Sequence, residues 1–295
     1  GVSNSLSSIT AGAANSTSTF NSAVKADTIS TAAGTIIFGD DVAANINFSA
    51  DGILQVAGDL DGNVDNKSGT SNRGTVNLTG TGAVTGALGA TKSLKLVTAG
   101  ATGYSTTFDG AINATTVAIG GGSASFAEGI TGNVTVNGGS FTLAAGKNIS
   151  GYIDALAGGS SMTFSGSSTI GGLVGSTTAF DLITAGAANS TVTFSSAVKA
   201  GTIEVASGTV AFSDNATGDI NFTADGVVQL AAGKTITGYV DNKTGADGAG
   251  TLTFAGASTV TKSIGVTNAL KLITAAQSGA AAVFGESVAA ETINL

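Results

Sequence analysis

The sequence predicts an all-β chain wound as a β-solenoid (parallel β-helix), and three observations carry that prediction. The chain copies itself at a long fixed period, it alternates short strand patterns with turn clusters, and it contains no proline. Self-similarity at a fixed period sets the architecture before any local pattern is considered. Missing proline fits a chain in which nearly every strand is paired on both sides, because each proline would remove a ladder donor.

The repeat is legible word by word. Ile9 to Thr17 and Ile183 to Thr191 are both ITAGAANST, and Ser22 to Ala26 and Ser196 to Ala200 are both SAVKA. The phenylalanine that closes the first phrase falls at Phe20, Phe108, Phe194 and Phe284, in steps of 88, 86 and 90 residues. The chain is therefore about 3.3 sequence repeats of ~88 residues, with several coils per repeat. As one continuous solenoid over 1-295, its units run about 5-92, 93-178, 179-268 and, as a partial copy, 269-295. Gly1 to Asn4 are too few to interpret.

Within a unit, Thr35 to Phe38 (TIIF), Asn45 to Phe48 (NINF), Ile53 to Val56 (ILQV), Thr75 to Leu78 (TVNL) and Ser93 to Val97 (SLKLV) place apolar residues at alternate positions. That is the pattern of half-buried strands, and their Val, Ile, Thr and Phe content agrees. SADG, GDLDG, DNKSG and TGTG between them are turn chemistry. No segment carries a capped apolar stripe of helical period; SSAVKAGTIEVAS comes nearest and alternates like a strand. Short, regular strands also suit a chain of β-sandwiches. The internal spacing favours the solenoid: Phe20 to Phe38, Phe108 to Phe126 and Phe194 to Phe212 are each 18 residues apart. A coil of roughly 18–22 residues puts four to five coils in a unit, rising roughly 20 Å at the spacing of adjacent strands.

Composition narrows function. Hydrophobic residues make up 42% but aromatics only 5%, and mean hydropathy is +0.36, which suits a thin core of small side chains. A net charge of −8 with Arg73 as the only arginine disfavours nucleic acid and anionic lipid as partners. Histidine and cysteine are absent, which removes Ser-His-Asp triads, thiol nucleophiles and nearly all zinc, copper and haem ligation. Glutamate occurs only at Glu128, Glu204, Glu286 and Glu291, without a pattern that pairs two acids for glycoside hydrolysis. No catalytic or cofactor-binding residues are assigned. No apolar run reaches the roughly 18 residues of a membrane helix. No signal peptide opens the chain, which reads as a mature or excised segment inserting in no membrane.

The sharpest local motif is Asp59-Leu60-Asp61-Gly62-Asn63-Val64-Asp65-Asn66. Oxygen-bearing residues at alternate positions (Asp59, Asp61, Asn63, Asp65) with an embedded glycine resemble part of a calcium loop. The terminal bidentate acid of that loop is missing, so a solvated turn is the preferred reading. Asp65/Asn66/Lys67 and Asp241/Asn242/Lys243 recur as a structural turn. Asn15, Asn66, Asn113, Asn189, Asn215 and Asn242 begin Asn-x-Ser/Thr triplets, as chance produces in such a composition. The phenylalanines are core filling, with no second aromatic to make a ligand platform.

The phrase GYVDNKTGADGAGTLTFAGASTVTKSIGVTNALKLI, Gly238 to Ile273, with its counterparts at Val64 to Leu94 and Ile153 to Phe180, carries a resemblance. It is similar to the passenger-domain repeats of rickettsial outer membrane protein B and the surface cell antigen autotransporters. The resemblance implies a secreted β-solenoid at the surface of a Gram-negative bacterium, non-catalytic, acting as rod, coat, filament or adhesin. Its expected partners are a host or neighbouring cell surface, or copies of itself end to end. Two rivals stand beside it: a carbohydrate-active β-helix enzyme or phage-type tail protein, and a calcium-dependent binding module.

Overall fold

The computed structural model describes residues 4–275 and 281–294; residues 1–3, 276–280 and 295 lie outside it, including the fourth copy's last residue. The described residues form parallel strands stacked as a β-solenoid, with no helix among them. The chain divides into two compact units, Gly1–Thr142 and Leu143–Leu295.

In the first unit each coil contributes to three parallel ladders. The first runs Val24, Val42, Leu60, Val84, Phe108 and Phe126. The second runs Ile9, Ile29, Ile46, Val64, Leu88, Ile112 and Ile130. The third runs Ser18, Ile36, Leu54, Val76, Val97, Val117 and Val134. From Ile36 to Val134 every residue of the third ladder is fully buried. Apolar side chains therefore stack in files along the axis, each covered above and below by its counterpart one coil away. The 18-residue phenylalanine spacing is the register itself: Phe20 pairs Phe38, Phe108 pairs Phe126 and Phe194 pairs Phe212. Their rings stack at centroid distances of 5.2, 4.9 and 5.6 Å. Phe38, Phe108, Phe126, Phe194 and Phe212 are buried, as core filling requires, and the stacked partner of each comes from the adjacent coil.

Coil and repeat do not share a period. Ser18 in the first copy is followed up the third ladder for four coils, to Val97, before its equivalent, Thr106, appears in the first ladder. Val24 of the first ladder likewise corresponds to Ile112 of the second, and Ile29 of the second to Val117 of the third. One repeat is four coils and one further strand, so equivalent residues advance by one face per copy. The second unit does the same. Ile183 and Ile203 share a ladder with Val240, whereas Ile273, the counterpart of Ile183, pairs Leu252 and Ile293. Phe194 stacks under Phe212, and its equivalent Phe284 lies instead on the ladder of Val198, Ala216, Ile236 and Val260.

Local chemistry makes the corners. The register slips at Lys25/Thr28, Asn113/Thr116 and Lys199/Thr202, equivalent positions in three copies, and the inward residues change phase there. Gly132 and Gly218 sit beside two of these slips at φ 136° and 134°, where a Cβ would come within 1.8 and 2.1 Å of the carbonyl oxygens of Ala114 and Ala200. Only glycine satisfies both the dihedral and the close approach. The GAANS turn shows the alternative solution: Asn15 and Asn189 hold the left-handed conformation, and Gly103 takes that place in the second copy. In all three the turn closes by a backbone bond to residue i−3, from Ser16, Tyr104 and Ser190.

Candidate functional site

The Asp59 to Asn66 stretch differs from the solvated turn expected of it. Leu60–Asp61 and Val64–Asn66 are strand segments, with Leu60 and Val64 buried in the core. Strand alternation therefore turns Asp59, Asp61 and Asn63 outward. Each is tied to the coils on either side. Asp59 N donates to Asp41 Oδ1 at 2.8 Å, and Asp59 Oδ1 accepts from Ala83 N at 2.8 Å. Asp61 Oδ1 accepts from Thr85 Oγ1, and Asn63 links Asn45 to Ala87 N. These side chains stitch successive coils along the surface.

Asp65 faces a different task. It is 7% exposed and accepts from Asn66 N, Thr91 N and Thr91 Oγ1, while Lys67 Nζ lies 2.6 Å from Oδ2. Burial pushes its pKa up, but the Lys67 and Thr91 hydrogen bonds and the Lys67 charge outweigh that and hold it at about 2. Fully buried Asn66 donates to Thr70 O and Ser93 O and accepts from Ser68. The same latch recurs at Asp241, Asn242, Lys243 and Thr267, where Asp241 is also held below the usual carboxylate range. The recurring Asp-Asn-Lys phrase is thus a buried strand end that clamps a long turn, rather than a left-handed turn of its own. A second repeated clamp uses the ADG turns. Asp51 accepts from Gly74 N and pairs Lys95; Asp225 accepts from Gly250 N and pairs Lys271.

The structure brings Asp59 and Asp61 together with Asp40 and Asp41, not with Asp65. These four border a groove of about 650 Å³ on the first unit, floored by Val24 and Val42. Among the described residues no group of three or more His, Cys, Asp or Glu side chains gathers as a metal ion would need. A second hollow, of about 330 Å³, lies on the second unit between Asp219, Asn221, Tyr239, Lys243 and Val266. Sequence reasoning passed over it. The available signal was a substitution between copies: Tyr239 stands where the first copy has Asn63. No helix among the described residues is long and apolar enough to cross a membrane.

No protein-family model matches the chain, and no solved structure matches it. Among curated proteins it is similar to Outer membrane protein A of Rickettsia rickettsii, 33% identical over 238 residues. The matched stretch is 80% of this chain and 9% of that protein. The similarity relates this β-solenoid to a rickettsial outer membrane protein, of which it spans under a tenth.

Proposed function

We propose that the chain is a non-catalytic stretch of a cell-surface protein, the passenger of an autotransporter, that builds a rod or coat and mediates attachment. The observation that carries this reading is the 33% identity to Outer membrane protein A over 80% of the chain. The fold supports it. Nearly every strand is committed to pairing with the coils beside it, and such scaffolds gain their stability from neighbour-on-neighbour contact. Neither histidine nor cysteine is present to supply a catalytic base or thiol nucleophile.

Antibodies raised against the purified chain test exposure on bacteria that make the protein. Intact cells should label as strongly as permeabilised ones, and brief external protease should remove the signal. Labelling only after permeabilisation would overturn the surface assignment. Beads coated with the chain test attachment: they should adhere to cultured host cells above albumin-coated beads, and equal adhesion would remove that part of the reading.

A further inference from the structure

We infer that the hollow between Asp219, Asn221 and Tyr239 on the second unit is a binding site for a neutral saccharide. The strand Ala216–Phe222 pairs with Val240–Asn242 so that Ile220 meets Val240 and Asn221 meets Asp241. Tyr239 thereby lies beside Asp219, and its N donates to Asp219 Oδ1 at 3.0 Å. Three polar groups on this wall have no hydrogen-bond partner among the described residues: the second carboxylate oxygen of Asp219, the half-buried Asn221 carboxamide and the Tyr239 hydroxyl. By contrast Asp241, next to them, is saturated by Lys243, Thr267 and Asn242 N.

Unpaired planar amide and carboxylate groups beside an aromatic ring match a pyranose. Vicinal hydroxyls donate to the carboxylate and exchange hydrogen bonds with the amide, while the sugar's C–H face packs on the ring. Tyr239 is 36% exposed, and Lys262 Nζ, 4.6 Å from its ring centroid, holds one face. Val266, 61% exposed, adds apolar surface to the rim. A volume of about 330 Å³ suits one or two sugar rings. Asp219 and Asp241 offset Lys243 and Lys262, so the hollow carries no excess positive charge to attract sialylated or sulfated glycans, and the net charge of −8 disfavours them. The first copy provides an internal comparison. Its equivalents are Asn45, Asn47 and Asn63; Asn63 spends its amide on Asn45, so the aromatic is lost there and the Asn47 amide is left without a ring beside it.

The inference rests on the attachment reading only in placing the sugar on another cell; the pocket is tested alone. Amide-resolved NMR titration of the purified chain would use N-acetylglucosamine, galactose, mannose and glucose trisaccharides, with sialyllactose as the acidic probe. At least one neutral sugar should shift the Asn221 side-chain and Tyr239 backbone signals with millimolar affinity. Tyr239→Asn, which the first copy shows to be compatible with the coil, should weaken binding about tenfold or more while the melting curve stays put. Asn221→Ala should weaken it similarly. No shift with any neutral sugar, shifts elsewhere, equal binding by Tyr239→Asn, or tighter binding of sialyllactose would each overturn the assignment. If titration succeeds and bead adhesion fails, the attachment reading falls and the pocket stands.

Discussion

Replacing Asp65 by Asn should cost up to about 2 kcal/mol at neutral pH, and that cost should disappear in acid. A folded-state pKa of about 2 against the usual 3.8 is a little under two pH units. Each unit is worth about 1.4 kcal/mol, so the charged latch contributes about 2 kcal/mol. The Asp65 side chain is 10% exposed but Lys67 is half exposed, so solvent screens part of the ion pair and about 2 kcal/mol is the upper end of what the charge contributes. The sign follows from the direction. A carboxylate depressed by folding adds its stability above the unfolded pKa and loses it as pH falls through the folded one. The window here is from about pH 4 down to about pH 2. Urea melts of wild type and Asp65→Asn at neutral pH, pH 4 and pH 2 supply the assay. The gap should be open at neutral pH and pH 4 and close toward pH 2. A gap of the same size throughout would refute the role assigned to the charge, and no gap at neutral pH would refute the latch.

Other substitutions probe core, corner and surface. Ile203→Ala, in a fully buried file between Ile183 and Ile220, should cost about 2–5 kcal/mol in a urea melt. Gly132→Ala should abolish cooperative unfolding or cost more than 3 kcal/mol, roughly, because its Cβ would meet the Ala114 carbonyl at 1.8 Å in a left-handed backbone. Gly103→Asn should change stability by under about 1 kcal/mol, since Asn15 and Asn189 occupy that conformation in sister turns. Lys271→Ala, removing a pair with both partners about half exposed, should leave the urea midpoint nearly unchanged, and high salt should erase any difference.

Much of the fold was readable from the chain, because the solenoid writes its register into the sequence. An 18-residue phenylalanine spacing became the pairing of Phe20 with Phe38 and of Phe194 with Phe212. The advance of one face per copy was less visible. Its arithmetic was present, in a repeat that is no multiple of the 18-residue step, but assigning faces needs the lengths of turns such as the one after Asn66. That turn stretches the step from Val56 to Leu78 to 22 residues. The Asp65 latch is hidden for a related reason: DNKSG is turn chemistry by composition, and the Thr91 amide that holds the carboxylate comes 26 residues later. The outward Asp59, Asp61 and Asn63 pattern was correctly seen as alternate oxygens. Whether such a row gathers or spreads depends on backbone curvature, and a strand spreads it. The Tyr239 hollow depends on groups from neighbouring coils that remain unpaired, which no local pattern records.

The account stands on successive coils being one another's backbone partners in parallel register. Backbone NOEs around Val210 on the isotope-labelled chain test it most directly. Val210 should contact both Val192 and Val228, 18 residues behind and ahead, with amide-to-Hα cross-peaks and no close Hα–Hα contacts between those strands. Strong Hα–Hα contacts to a neighbouring hairpin strand, or contact with only one of the two valines, would contradict it.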